Sequence, residues 1–299
     1  MTRYLSQTVA RIAKTILLLL LLPLITSCLP ANSGRATAGA KPIQNIGSDT
    51  LVNVALAWAE EYNRQHPDIQ ISVTGGGSGT GLAALINGTA KIANASRQIK
   101  PEERAAGEAN GISPVEYVVA RDAIAIVVHP GNPVDQLTIA QLSDIYRGEI
   151  TNWREVGGEN RPIVLLSRET NSGTHVYFLE TVIRQNQKDS TALFSPDTLL
   201  LPSSEGISAE VRQNPNALGY DGLGYVTPDQ KVLAVSLGPE GPYVLPTIQT
   251  VNDLSYPIAR DLYMYTSGQP TGLVADYLSW ILGPEAQTIV ANLGFVPLQ

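Results

Sequence analysis

The sequence predicts an α/β protein in which two lobes, joined by two crossings of the chain, enclose a ligand cleft. From residue 42 onwards, short apolar runs alternate with amphipathic stretches, which is typical of strands alternating with helices. Two apolar strands far apart in the chain carry the same tripeptide, Ala-Arg-Asp at 120–122 and at 259–261, and we expect them to be neighbours. The chain between them must then leave one lobe and return to it, and α/β proteins usually bind ligands at such junctions.

The predicted elements follow one another in the order that this fold requires. The clearest helix covers residues 49–65, where apolar residues recur at helical spacing. We assign residues 42–128 and 252–299 to lobe I and residues 129–251 to lobe II. The predicted strands are 44–47, 70–74, 92–96, 123–129, 163–167, 219–226 and 259–265, and the other predicted helices are one through Leu82 and Ile86, 138–146, 173–184 and one through Leu278 and Ile281.

The first 27 residues (1–27) have the layout of a secretory signal, because a basic stretch precedes the apolar run 16–22. That run is too short to cross a bilayer with a hydrocarbon core of about 30 Å. The segment ends at Cys28, which follows small residues as in a bacterial lipobox and is the only cysteine of the chain. We expect a lipid on Cys28 to hold the protein to a membrane through a flexible tether, residues 28–41. The alternative is an ordinary cleavage site beside an incidental cysteine.

The charge of the chain argues against several classes of partner. The sequence carries a formal net charge of −7, and removing residues 1–27, which hold three basic and no acidic residues, leaves −10. There is neither a basic run nor an interleaving of aromatic and basic residues, so nucleic acid is not an expected partner. No group of His, Cys, Asp or Glu has the spacing of metal ligands, and we expect neither a metal nor a cofactor. Any bound anion must therefore be held by a local site.

Three loops of glycine, serine and threonine share one pattern, in which a strand ends, a tight turn follows and a helix begins. They are Gly47–Thr50, Gly77–Gly81 and Asn171–Thr174. The first amides of a helix lack partners within it, and the helix dipole favours negative charge there, while hydroxyl groups add further donors. A single loop of this kind is usually no more than a helix cap. Three of them in one cleft would form a pocket of donors that suits a compact tetrahedral oxyanion.

Two arginines stand beside these loops. Arg97 follows Ser96 at the end of a predicted strand, and Arg168 stands four residues before Ser172. A guanidinium group offers paired donors to an oxyanion and does not lose its charge. Each arginine taken alone would more often be a partner in a surface ion pair, but the two together would balance the charge of a dianion.

The segment 168–174, of sequence RETNSGT, resembles the Arg-x-x-x-Ser-Gly-Thr motif of the phosphate-binding receptors of bacterial ABC importers. Residues 142–153 are similar to the segment before this motif in the family, and the loops 47–50, 77–81 and 219–225 occur in the family's order. The resemblance covers nearly the whole chain after residue 42. It implies a type II periplasmic-binding-protein fold whose lobes close on inorganic phosphate, in an extracytoplasmic receptor that serves ABC permease subunits. We expect it to be a monomer in the periplasm or on the outer face of a bacterial membrane.

By position in these motifs, the resemblance implies anion ligands on both lobes. Thr50 and Ser78 would donate from lobe I. The donors of lobe II would be Arg168, Ser172, Gly173 through its main chain, and Thr174. The candidate set is completed by neighbours of these groups, namely Ser48, Asp49, Gly79, Ser96 and Arg97.

One departure from the family's pattern concerns selectivity. Many members have a carboxylate at the end of the strand that follows the glycine loop, where it accepts the proton of hydrogen phosphate and rejects sulfate. This sequence has Ser96 and Arg97 there. Our hypothesis for the missing acceptor is Asp49, and Asp221 is a second candidate. Such an acceptor matters because a site that demands a donor can reject an analogue lacking it by about 10⁴-fold or more.

Three other functions stay open. The ligand could be another oxyanion (sulfate, molybdate, tungstate or arsenate), or the protein could be a phosphate sensor or scavenger without a transporter. An extracellular hydrolase is the alternative from another class, but Ser78 does not fit the Gly-x-Ser-x-Gly pattern because Thr80 takes the place of the last glycine. Of the three histidines, only His175 follows an anion loop. We expect a binding protein and not an enzyme.

Overall fold

In the computed structural model, which describes residues 42–298, ten strands form one sheet with helices on its faces. The strands are β1 (Ile43–Gly47), β2 (Ile71–Thr74), β3 (Ile92–Ala95), β4 (Pro114–Val128), β5 (Gln136–Thr138), β6 (Val164–Arg168), β7 (Leu199–Leu201), β8 (Ala217–Gly222), β9 (Lys231–Ser236) and β10 (Ala259–Ser267). The α-helices are Asp49–Gln65, Ser78–Ile86, Pro101–Ala109, Ile139–Arg147, Gly173–Phe178, Ser204–Gln213, Ile248–Asn252, Leu273–Ile281 and Pro284–Asn292. The predicted signal segment, the predicted lipidation site Cys28 and the predicted tether lie outside the described residues.

The long strand β4 carries the sheet from one lobe to the other. The strand order is β2-β1-β3-β10-β4-β8-β6-β7, and β9, which also pairs with β5, joins β4 on the edge opposite to β8. Residues 114–123 of β4 pair antiparallel with β10, whereas residues 124–128 pair antiparallel with β8. The two Ala-Arg-Asp tripeptides are neighbours, as expected, and Arg260 lies across from Asp122 in the register.

Each half of the sheet has its own apolar core. In lobe I, the helix Asp49–Gln65 buries the predicted face of Leu51, Trp58 and Tyr62, and the Trp58 indole N–H donates to the Ala286 carbonyl at 2.9 Å. In lobe II, aromatic rings fill the space under the helices, and Phe178 stacks on Tyr220 with ring centroids 3.8 Å apart. Two separately packed bodies joined by a continuous strand are the arrangement expected of lobes that move against each other.

The chain changes lobes a few residues away from the predicted boundaries. Residues 124–128 pair and pack within lobe II, so the first crossing lies between Ala123 and Ile124 rather than after residue 128. Ile258 still packs in the core of lobe II, and pairing within lobe I resumes at Ala259 rather than at residue 252. A run of apolar residues shows that a strand is buried, but it does not show where that strand changes partners.

Other elements differ from the prediction in their ends or in kind. The strand predicted at 219–226 stops at Gly222 and is followed by a 3₁₀ turn, Leu223–Tyr225. The helix predicted at 173–184 changes to a π-helix at Leu179–Ile183. The helix Pro101–Ala109 is not among the predicted elements, because it buries only Gly107 and therefore has no apolar face to recognise.

Within residues 42–298, no helix combines the length and the apolar character that crossing a membrane requires. The same part of the chain holds no group of three or more His, Cys, Asp or Glu side chains placed to bind a metal ion.

Candidate functional site

The structure brings the three loops together at the first turns of their helices. Thr50 Oγ1, from lobe I, lies 2.8 Å from Thr174 Oγ1, from lobe II. Ser78 Oγ lies 3.3 Å from Ser96 Oγ and accepts the Ser96 N–H at 3.0 Å. All four side chains are buried. Four of the predicted anion ligands therefore form one hydroxyl cluster between the lobes.

Gly173 lies at the centre of this cluster. A Cβ atom at this position would collide with the hydroxyl oxygens of Ser78 and Ser96, so only glycine lets the two lobes approach this closely. Ser172 caps the helix that starts here, because its hydroxyl accepts the Thr174 N–H at 3.2 Å. The first turn of a lobe II helix thus lies against the hydroxyl groups of lobe I.

The glycine loop of lobe I is hydrogen-bonded to Asn171 of lobe II. The Gly79 N–H donates to the Asn171 carbonyl at 3.0 Å, and Asn171 Nδ2 donates to the Gly76 carbonyl at 2.8 Å. Gly77 has a φ of 96°, and a Cβ there would meet the Asn171 carbonyl oxygen at 2.8 Å. Glycine is therefore required at position 77 by its conformation and by the contact. Gly79, a predicted anion ligand, therefore donates its main-chain N–H to the other lobe.

Arg168 is buried, and all three of its side-chain nitrogens contact protein groups. Nε donates to the Leu201 carbonyl at 3.3 Å, Nη1 to Ser204 Oγ at 2.9 Å and Nη2 to the Pro202 carbonyl at 2.8 Å. Nη2 also lies 3.0 Å from Asp49 Oδ2, and the same oxygen accepts the Ser204 N–H at 3.0 Å. The Asp49 carboxylate of lobe I is thus paired with lobe II across the cleft.

Arg97 is also paired with a carboxylate. Its two terminal nitrogens donate to Glu103 at 2.7 and 2.8 Å. Burial alone would raise the pKa of Glu103, but hydrogen bonds from Arg97 and from the Lys100 main chain hold that pKa below its ordinary value. Arg97 Nε and Ser48 Oγ are buried and have no hydrogen-bond partner among the described residues. Because buried donors normally have partners, both fit a site that receives an anion.

Asp221 is a buried carboxylate with one unpaired oxygen. Its Oδ1 accepts the Gly222 N–H at 2.9 Å, whereas its Oδ2 has no partner within residues 42–298. Burial raises the pKa of Asp221 to about 7, although Ser204 and Arg168 act in the opposite direction. Of the two candidate proton acceptors, Asp221 is the one with a buried oxygen that lacks a partner, while Oδ2 of Asp49 is engaged by Arg168 and Ser204.

A second buried ion pair, which the sequence does not predict, lies beside the hydroxyl cluster. Arg260 Nη2 is 2.7 Å from Asp122 Oδ2 and donates to Thr174 Oγ1 at 3.0 Å, while Arg260 Nη1 donates to the Ser96 carbonyl at 3.1 Å. Burial raises the pKa of Asp122, and Arg260 acts against that rise. The repeated Ala-Arg-Asp tripeptide was the available signal, since antiparallel neighbours place each arginine opposite the other's aspartate.

His175 lies in the core of lobe II. Its Nδ1 is 3.0 Å from Ser167 Oγ, and its ring stacks on Phe194 with centroids 4.4 Å apart. Burial lowers the pKa of His175. The Ser167 hydroxyl is itself bonded to the Tyr220 hydroxyl at 2.5 Å. These contacts are those of a packing residue, and they give no support to the hydrolase alternative.

The assembled site can hold a small anion by hydrogen bonds from fixed dipoles. It combines hydroxyl groups and the first turns of three helices, where unpaired amides and the helix dipole favour negative charge. Each of its three arginines is paired with a carboxylate, so the site carries little net positive charge. Binding must then depend on the number and direction of donors, which suits an oxyanion whose oxygens each accept several hydrogen bonds.

Comparison with known sequences agrees with this geometry. A family model described as a PBP superfamily domain matches residues 32–285. The phosphate-binding protein PstS of Pseudomonas aeruginosa is 32% identical over 281 residues, which cover 88% of this chain and 85% of PstS. The protein SphX of Synechococcus elongatus is 33% identical over 264 residues, which cover 84% of this chain and 76% of SphX.

Solved structures give the same result. A structure from Clostridium perfringens with bound phosphate, assigned to the substrate-binding proteins of phosphate ABC transporters, superposes with a TM-score of 0.77 at 31% identity, covering 86% of this chain and all of that one. An ABC-type phosphate transport receptor from Vibrio cholerae has a TM-score of 0.69 at 27% identity, with 86% and 100% covered. These matches confirm the predicted two-lobed type II periplasmic-binding-protein fold. The chain belongs to the PBP superfamily and, within it, to the family of the phosphate-binding proteins PstS.

Proposed function

We propose that this chain is an extracytoplasmic receptor that captures inorganic phosphate between its two lobes and delivers it to an ABC-type importer. The observation that carries the proposal is the meeting of Thr50 and Ser78 of lobe I with Gly173 and Thr174 of lobe II, at the starts of three helices. The choice of phosphate among the oxyanions is supported by the relatives named PstS and by the Clostridium perfringens structure with bound phosphate.

Capture depends on closure of the lobes. The bonds Thr50 to Thr174, Gly79 to Asn171 and Asp49 to Arg168 exist only while the lobes are together. An anion that accepts hydrogen bonds from both sides adds to these contacts and shifts the equilibrium toward the closed form. Release then requires that the importer separate the lobes. No bond of the anion is made or broken, so the protein acts as a receptor and not as an enzyme.

The test of this function is a calorimetric titration of the purified mature protein, stripped of anions, with phosphate, sulfate and arsenate at pH 6 and pH 8. We expect tight phosphate binding, competition by arsenate, which has the same protonation pattern, and no binding of sulfate. Equal binding of sulfate, or no binding of phosphate, would contradict the assignment.

The same titration identifies the proton acceptor. Because Asp221 Oδ2 is unpaired, we propose that it accepts the proton of hydrogen phosphate. Asp221→Asn is expected to raise the affinity for sulfate relative to phosphate by about tenfold or more, since an amide can donate where a carboxylate repels. Asp49→Asn is the matched variant, and it should lower the affinities for phosphate and sulfate by the same factor, because Asp49 joins the lobes. Unchanged sulfate rejection in Asp221→Asn removes Asp221 from this role.

We further propose that the receptor is a monomer held to a bacterial membrane by a lipid on Cys28. The proposal is supported by the apolar run, the small residues that precede this cysteine and the absence of any other cysteine from the sequence. In a bacterium that processes lipoproteins, Cys28→Ser is expected to move the protein from the membrane fraction to the soluble one. Finding the variant still in membranes would contradict the anchor, and size-exclusion chromatography with light scattering checks the monomer.

A further inference from the structure

Arg260 and Asp122 stand where the chain passes between the lobes. Asp122 precedes the point at which β4 exchanges β10 for β8, and Arg260 is the second residue of the returning strand β10. Both side chains are withdrawn from solvent, with 2% of Arg260 and none of Asp122 exposed. An ion pair so deeply buried has to be satisfied by its surroundings.

The contacts of Arg260 reach both lobes and the crossing. Nε and Nη2 donate to Asp122 Oδ2 at 3.1 and 2.7 Å. Nη1 donates to the Ser96 carbonyl of lobe I at 3.1 Å, and Nη2 donates to Thr174 Oγ1 of lobe II at 3.0 Å. Nη2 also lies 3.5 Å from Thr50 Oγ1. A single planar group therefore connects the hydroxyl cluster with the crossing.

The chemistry of a guanidinium fixes the direction of the hydrogen bond between Arg260 and Thr174. Arginine donates and cannot accept, so Thr174 Oγ1 must accept from Arg260, and its own hydrogen points elsewhere. Thr50 Oγ1 and Thr174 Oγ1 share one hydrogen bond, which uses one of their two hydroxyl hydrogens. The other hydrogen is left for an anion at the helix starts. Because Arg260 occupies acceptor positions of these oxygens, the two threonines together keep one hydrogen to donate to an anion.

Asp122 holds Arg260 in place and is itself bonded to lobe II. Its Oδ1 accepts the Leu223 N–H, in the turn after β8, at 2.9 Å, while its Oδ2 receives the two bonds from Arg260. The other arginine–aspartate pair of the same two strands is Arg121 with Asp261. Its side chains are 37% and 41% exposed, and Arg121 Nε lies 3.5 Å from Asp261 Oδ1. The same tripeptides thus provide one buried pair at the site and one surface pair.

We propose that Arg260, held by Asp122, is a positioning residue for the anion, which orients the bonded Thr50 and Thr174 hydroxyls so that their one free hydrogen points to the anion and links this arrangement to the joining of the lobes. This inference rests on the proposed function of the site. It assigns a role to a residue pair outside the loops that match the family motif.

The test compares Arg260→Lys with its surface counterpart Arg121→Lys by titration with phosphate. A single ammonium group cannot reach Asp122, Ser96 and Thr174 together, so Arg260→Lys is expected to weaken phosphate binding by about tenfold or more. Arg121→Lys should stay within about twofold of the wild type, because exposed pairs contribute little. Equal affinities for Arg260→Lys and the wild type would overturn the proposal.

A double-mutant cycle separates positioning from a merely structural role. If Arg260 acts through Thr174, then Arg260→Lys should cost less than about twofold when Thr174 is already valine. Losses that multiply in the double variant would show that Arg260 does not act through this hydroxyl and would overturn the proposal.

Removing only one partner of a buried ion pair can prevent folding, so a second variant removes both partners. Arg260→Met combined with Asp122→Leu removes both charges, and such replacements often leave stability unchanged. We expect this variant to unfold at a temperature close to the wild type but to bind phosphate at least tenfold more weakly, and wild-type affinity would overturn the proposal. If the wild-type protein itself binds no phosphate, the proposed function fails and this proposal fails with it.

Discussion

Replacing Gly173 by alanine is expected to lower phosphate affinity by about 100-fold while leaving the stability of the anion-free protein nearly unchanged. The added methyl group would collide with the hydroxyl oxygens of Ser78 and Ser96, which belong to the other lobe. Overpacking a rigid contact costs about 1–3 kcal/mol, and the upper end of that range corresponds to this loss of affinity. The cost falls on the closed form alone, because separated lobes leave room for the methyl group. Calorimetry measures the affinity, and small-angle scattering with phosphate shows whether the lobes close.

The matched control for this prediction is Gly206→Ala. Gly206 also lies in the first turn of a lobe II helix, but a Cβ there would meet no atom closer than Ser203 Oγ at 3.5 Å. We expect this variant to bind phosphate and to close like the wild type. If Gly173→Ala bound phosphate with full affinity, the contact between Gly173 and the two serines could not be part of the closed, ligand-holding form.

Replacing Arg168 by methionine is expected to destabilise the protein by about 3–5 kcal/mol at pH 8, because the buried carboxylate of Asp221, in the same lobe, then loses its counter-charge whether the lobes are open or closed. Arg168 is 1% exposed and pairs with Asp49, and its charge also lowers the pKa of the neighbouring Asp221. Phosphate binding should be lost as well, since Asp49 no longer joins the lobes. Urea unfolding of the anion-free protein measures the change in the free energy of unfolding.

The destabilisation caused by Arg168→Met is expected to depend on pH through Asp221. The pKa of Asp221 is raised to about 7 in the folded protein, so below that pH its carboxyl is protonated and does not need the charge of Arg168. Above pH 7 the group is ionised and loses its counter-charge in the variant. The destabilisation should therefore grow as the pH rises from 5.5 to 8. A cost independent of pH would contradict the coupling of Arg168 with Asp221, and Arg147→Met, at an exposed pair, should cost less than about 1 kcal/mol at either pH.

The anion loops could be predicted from the sequence because their chemistry is local. Gly47–Thr50, Gly77–Gly81 and Asn171–Thr174 each contain the residues that end a strand and start a helix, and the structure gathers their hydroxyl groups at one point. What each charged side chain contacts could not be predicted. Arg97 and Arg168 stand in the expected loops, yet their partners Glu103 and Asp49 are fixed by packing between elements.

Arg260 shows where sequence reasoning stops. The repeated Ala-Arg-Asp tripeptide suggested that β4 and β10 are neighbours, but it gave no information on which of the two arginine–aspartate pairs would be buried. That choice depends on the faces of the sheet and on the point at which β4 changes partners. The point at which β4 changes partners also sets the lobe boundaries, and these differ from the predicted ones because residues 114–128 form one strand that belongs to two cores.

The route of β4 and β10 between the lobes also sets the order in which the protein can fold. Lobe II is made from one uninterrupted stretch of chain, residues 124–258, and it can form as soon as that stretch is available. Lobe I needs β10 between β3 and β4, although β10 comes more than a hundred residues after β4. Contacts so distant in sequence form slowly, and until they form, two strand edges stay unpaired and prone to aggregation. In a chain synthesised from its amino terminus, β1 to β4 are therefore made first, but the sheet of lobe I cannot be completed until β10 has been made.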